Sequence, residues 1–172
     1  MSTRATYQFP DVTYYIHYDG YPSGAAGYIN NALSGEDPRG GLQSQFLRYN
    51  ELAEVTRCHS CHGDTEYRYT FSGQYRQEIV DCQIRCQDNT WKTIFKGSVF
   101  DFINKFSTDG VQWKKFSKNN YDVFYSKEKA ERELKNHMEN AGKLLYHCEL
   151  DNINVVALKR EIDFLKKILK EF

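Results

Sequence analysis

The sequence is poor in proline, with three in 172 residues, and has no apolar run approaching the ~18 residues that a membrane span needs. Residues 1–8 carry neither the apolar core nor the small-residue cleavage site of a secretion signal, so a cytoplasmic location is expected. Charge of neither sign dominates. The 23 Lys and Arg match 23 Asp and Glu, which removes the global basic surplus that nucleic-acid binders usually show. There is no glycine-rich phosphate loop and no nucleophile with a base at recognised spacing. Internal repeats and low-complexity tracts are also missing.

What is there is a composition that folds. Apolar residues make up 40% and aromatics 15%, with 13 tyrosines, which excludes a disordered chain. The length suits one domain with an appendage. Five cysteines, an odd number in a reducing compartment, argue for free thiols or a metal site rather than a disulfide framework.

Period-two alternation predicts strands over 5–9 and 12–19, joined by a Pro10-Asp11 turn. In the second strand Tyr15, His17 and Asp19 share one face. A helix rich in small residues follows from Pro22 to Leu33, then a loop over 34–41 and a short helix over 42–52. Alternation returns over 65–71, 80–86 and 91–96, and predicts an antiparallel meander. Ser98, with Asp101 three residues later, forms a capping box for a helix to Phe106. A hairpin over 111–125 turns at 117–120. From Ser126 the chain becomes charged and helical, and a last helix begins at 151 or 152. Its Val155, Leu158, Ile162, Leu165, Leu169 and Phe172 follow 3,4 spacing. The fold class is therefore α+β: an antiparallel β-meander with short packed helices and a C-terminal α-helical hairpin. The division falls into a core domain, 1–125, and a helical or coiled-coil element, 126–172, which is expected to form a homodimer.

Two constellations carry chemistry. In Cys58-His59-Ser60-Cys61-His62 the C-x-x-C-H spacing matches covalent haem attachment, but that needs export, for which no signal is present. Cys58, Cys61 and His62 are instead candidate zinc ligands, as thiolates and imidazole favour that metal. Cys82 and Cys86 cannot both complete the site. On one strand face they sit ~13 Å apart at ~3.3 Å per residue, whereas tetrahedral ligands must lie within ~4 Å of each other. Cofactor content is therefore zinc or none.

The second constellation is a repeated H-x-D, His17-Tyr18-Asp19 and His62-Gly63-Asp64. Imidazole beside carboxylate serves acid–base catalysis and the support of metal ligands, and Glu66 and Arg68 add a carboxylate and a guanidinium. The same residues are also turn chemistry at strand ends, and that reading stays open. Tyr21, close by, adds a rigid amphipathic surface.

The segments Thr3 to Tyr7, Tyr15-x-His17-x-Asp19-Gly20-Tyr21-Pro22-x-Gly24-Ala25-Ala26, His62 to Tyr69, and Trp91 to Gly97 with Phe102-Ile103 resemble a group of small uncharacterised proteins from bacteria and their phages. The resemblance covers about residues 3–106 and implies no activity. The expected function is a non-enzymatic binding or interaction protein, such as an inhibitor of a host system or a protein that sequesters a small ligand. It would use the surface around His17, Asp19, Tyr21, Asp64, Glu66 and Arg68, with a protein or small ligand as partner; net charge does not indicate nucleic acid, and no membrane partner is expected. A small metal-dependent hydrolase or transferase using the paired motifs, and a structural zinc protein, are the alternatives.

Overall fold

The computed structural model describes residues 3–35, 41–74, 77–147 and 152–172. The expected loop at 34–41 and the start of the last helix at 151 therefore lie partly outside the described residues. The fold is α+β, and the chain divides into two compact units, Met1–Val111 and Gln112–Phe172. The boundary is thus at 111/112, not 125/126. Composition changes at Ser126, but the preceding hairpin buries its apolar side against the C-terminal helices.

The first unit runs β1 Ala5–Gln8, β2 Thr13–Ile16, α1 Pro22–Leu33, α2 Leu42–Tyr49, β3 Glu54–Thr56, β4 Tyr67–Ser72, β5 Ile79–Arg85, β6 Trp91–Ser98 and α3 Val99–Phe106. A single 3-10 turn, His59–Cys61, lies between β3 and β4. The strands form one sheet in the order β3-β2-β1-β4-β5-β6. The expected meander holds over β4 to β6, and β1 and β2 form the expected hairpin. The sheet as a whole is mixed, however, because β1 pairs with β4 in parallel, Ala5 opposite Tyr67. Two helices and an edge strand separate β2 from β4, so the chain returns by a crossover rather than by a tight turn.

Strand register gives the sheet two unlike faces. One cross-strand row reads Val55, Tyr14, Tyr7, Tyr69, Cys82, Phe95. The three helices cover this side: Tyr7 meets Tyr28 of α1 at 6.2 Å and Phe46 of α2 at 4.9 Å, and Phe102 of α3 meets Tyr69 at 5.8 Å. The next row reads Glu54, Tyr15, Thr6, Arg68, Gln83, Thr93, and it faces the other way. Apolar residues on one face and polar ones on the other explain why helices pack on a single side.

Local chemistry sets the connections. Asp19 takes a left-handed conformation, φ 51°, and the Gly20 amide donates to the Thr3 carbonyl at 2.9 Å while its own carbonyl accepts from the Tyr69 hydroxyl at 2.8 Å. Pro22 then opens α1. At α3 the Asp101 amide donates to Ser98 Oγ at 3.1 Å, and that hydroxyl donates to the Asp101 carboxylate at 2.7 Å, so the expected capping residues are in place.

In the second unit β7 Trp113–Lys118 and β8 Tyr121–Ser126 form a hairpin, followed by α4 Lys127–His147 and α5 Asn152–Leu169. Asn119 and Asn120, both at positive φ, make the two-residue turn. Tyr125, Ala130, Leu165 and Ile168 are buried together, with Phe116, Val123, Leu134, Phe164 and Leu169 packed around them. Of the six heptad positions, five in α5 and Phe172 just beyond it, Leu165 is the buried one, whereas Val155 and Phe172 remain 40% and 37% exposed. Ile168, outside the heptad, holds the second buried place. Leu165 and Leu169 of the expected seam thus pack within their own unit, against the hairpin and α4. Among the described residues no helix is long and apolar enough to cross a membrane.

Candidate functional site

The polar side of the sheet is overlaid by the loop between β3 and β4, and three of its side chains hold it there. His59 bridges two strands, with Nδ1 at 2.7 Å from Thr6 Oγ1 and Nε2 at 3.0 Å from Thr70 Oγ1. The His62 ring stacks on the Tyr15 ring at 3.7 Å and 6°, and its Nε2 lies 3.0 Å from Thr56 Oγ1. Asp64 accepts from the Tyr15 hydroxyl at 3.3 Å and pairs with Arg4 at 3.0 Å. The backbone adds a fourth tie, Arg85 donating to the Gly63 carbonyl. Small hydroxyl side chains on β1, β3 and β4 are what let imidazoles lie flat against this face.

The paired H-x-D motifs do not converge as two equivalents. His17 packs edge-on against Tyr15 at 4.5 Å, with Nε2 3.5 Å from Glu54, so His17, His62 and Asp64 all meet on the Tyr15 side chain. Asp19 does not join them. β2 ends at Ile16, and the left-handed turn at Asp19 breaks the alternation that would have kept it beside His17. Its carboxylate accepts from Tyr21 at 3.2 Å, and its charge is felt by Tyr7 and Tyr28 on the helix-covered side. Burial, followed by the Asp64 charge, pushes the Tyr15 hydroxyl above its ordinary range, so it stays a neutral donor to Asp64.

The candidate zinc ligands are divided. Cys58 and Cys61 lie with their sulfurs 3.1 Å apart, while His62 is committed to Tyr15 and Thr56. Among the described residues no group of three or more His, Cys, Asp or Glu side chains is arranged to hold a metal ion. The Ser60 hydroxyl, at 3.1 Å, and the Cys61 thiol draw the Cys58 thiol down to about 7. Burial pushes Cys82 the other way, up to about 12.

Arg68 and Arg85 were not grouped by the sequence reading, although alternation in neighbouring antiparallel strands was the signal that could have grouped them. Arg68 lies opposite Gln83, two residues from Arg85, on the polar face. Its guanidinium sits 3.8 Å from the centre of the Trp91 ring. Partial burial, then the charge of Arg85, pulls Arg68 below its usual range, while Cys58 acts in the opposite direction. Neither arginine has a carboxylate partner among the described residues. Glu66, exposed on the same edge, makes its contacts through the backbone, donating to Arg4 and accepting from Arg85.

A scan against protein-family models finds no match, and searches of curated proteins and of solved structures find none either.

His59 yields the first testable consequence. Burial, with a smaller contribution from Arg68, lowers its pKa to about 4 from the ordinary 6.5. Between those values the unfolded chain holds a proton that the folded chain does not, so stability is full above pH 6.5 and falls as pH drops toward 4. Allowing for solvent screening at a part-exposed ring, the loss is on the order of 2 kcal/mol. Urea midpoints at pH 7 and pH 4.5 should show this slope in the native chain and a flatter one in His59→Gln. Equal slopes would show that His59 titrates normally.

Proposed function

We propose that this protein is a non-enzymatic interaction protein whose polar sheet face receives an acidic segment of a protein partner. The observation that carries this reading is the pair Arg68 and Arg85, without carboxylate partners among the described residues, with the Arg68 guanidinium 3.8 Å from the centre of the Trp91 ring. A guanidinium fixed on an aromatic ring has already given up much of the rotamer freedom that binding would cost, and Arg and Trp are the residues that most often dominate interfaces. Arg68, Arg85 and Trp91 lie on the adjacent strands β4, β5 and β6, a row along which an extended acidic segment can run. His17, Glu54, Asp64 and Arg4 border the same face and supply its polar rim.

A short poly-glutamate peptide titrated into the isotope-labelled full chain is a direct probe. The Trp91 indole and the Arg68 and Arg85 side-chain signals should move, and the affinity should fall several-fold between low and physiological salt. Changing Arg68 and Arg85 to Gln should abolish the shifts, whereas Arg48→Gln on α2 should leave them. Shifts confined to the helix-covered side, or none at millimolar peptide, would overturn the proposal.

A further inference from the structure

The loop over the polar face uses its two histidines and its aspartate to grip the sheet, and it leaves its two cysteines out of that work. Cys58 and Cys61 bracket the 3-10 turn, which the Cys61 amide closes by donating to the Cys58 carbonyl at 3.3 Å. A turn of this kind brings the first and fourth Cα atoms within ~7 Å, inside the range that a disulfide bridges. The sulfurs are already 3.1 Å apart, about 1 Å beyond the ~2.05 Å of a disulfide. Cys61 is exposed and Cys58 partly so, hence reagents reach them, while Cys82 is buried under the helices. Cys58 Sγ also has two hydrogen-bonding neighbours, Ser60 Oγ and Cys61 Sγ, which suits it to carry negative charge.

We infer that Cys58 and Cys61 form a reversible dithiol–disulfide couple, with Cys58 the attacking sulfur, Cys61 the resolving one, and a disulfide-bearing molecule as co-reactant. The Cys58 thiolate attacks one sulfur of the disulfide RSSR, forming a mixed disulfide and releasing RS−. Cys61, giving its proton to solvent or to the departing thiolate, then attacks Cys58 and releases the second R group as its thiol. Two electrons pass from the protein dithiol to RSSR, which leaves as RS− and RSH, and the Cys58–Cys61 bond is made. This inference rests on the cysteine pair and not on the acidic partner proposed above, although Cys58 and Arg68 lie close enough for their charges to interact.

The test equilibrates the full chain with reduced and oxidised glutathione at graded ratios, followed by acid quench, alkylation and mass spectrometry. A Cys58–Cys61 disulfide should form and reverse with the ratio. Cys61→Ser should accumulate a glutathione adduct on Cys58, whereas Cys58→Ser should react about tenfold more slowly at Cys61. Far-ultraviolet circular dichroism of both variants checks that they remain folded. Failure of the disulfide to form in the most oxidising buffer would overturn the couple, as would cross-links to Cys82 or Cys86 in its place. Stoichiometric zinc in the purified chain that is lost in the Cys58→Ser, Cys61→Ser double variant would overturn it in favour of a metal site.

Discussion

Gly24→Ala is expected to destabilise the first unit by about 3 kcal/mol or more, while Gly27→Ala, one turn further along the same helix, is expected to stabilise it by up to ~1 kcal/mol. Alanine is normally the better helix residue, because glycine loses more backbone freedom on folding. At Gly27 nothing lies within 4 Å of where a Cβ would stand, so that ordinary gain applies. At Gly24 the Cβ would fall 1.9 Å from the Asp19 carbonyl oxygen. That oxygen belongs to the backbone of the left-handed corner, and the corner is itself anchored, since a Cβ on Gly20 would stand only 2.7 Å from the Ala5 Cβ. Relief would require moving the corner and with it the Gly20 contacts to Thr3 and Tyr69. Urea denaturation of the two variants decides the matter, and a Gly24→Ala chain as stable as the native one would show that the corner is free to shift.

Leu165→Ala should lower the stability of the second unit by 2–5 kcal/mol, the usual cost of truncating a fully buried leucine. Leu165 is 1% exposed and shares a small core with Tyr125, Ala130 and Ile168, so few other contacts can absorb the loss. Trp113, 4% exposed on β7, reports on this unit by fluorescence once Trp91 is replaced by Phe. The midpoint should not depend on protein concentration, because the contacts lie within one chain. If the α5 stripe were instead a seam between two copies, the midpoint would rise with concentration and Leu165→Ala would remove that dependence. Val155→Ala, at a position 40% exposed, should change little.

Local patterns in the sequence carried much of this architecture. Alternation over 12–16 correctly separates Tyr14 and Ile16, which face the helices, from Tyr15, which faces the polar side. The Ser98 and Asp101 cap is a matter of four residues and reads directly. Longer-range features did not read. The parallel pairing of β1 with β4 depends on which distant strands find each other, and alternation within a strand is silent on that. Asp19 breaks period two because a turn intervenes before the strand pattern visibly ends. In α5 the 3,4 count took Leu165, Leu169 and Phe172, whereas the hairpin beneath it buries Leu165 and Ile168, a choice set by the shape of the facing surface. The cysteine–histidine run looked like one ligand set because spacing along the chain does not say that the threonines of the sheet would claim the histidines.

The parallel seam also bears on how the first unit is assembled as the chain is synthesised. β1 meets its hairpin partner β2 within about ten residues, but its other neighbour, β4, lies about sixty residues further on. Until β4 has been made, that edge of β1 has a row of unpaired amides and carbonyls, the kind of edge along which chains mispair. Closing it means ordering a loop that includes α1, α2 and β3, so the centre of the sheet is expected to join after its local hairpins. Strand β1 is only four residues long, and two of the four are the small Ala5 and Thr6. A short edge with modest side chains limits what a stray strand can gain by pairing there during the wait.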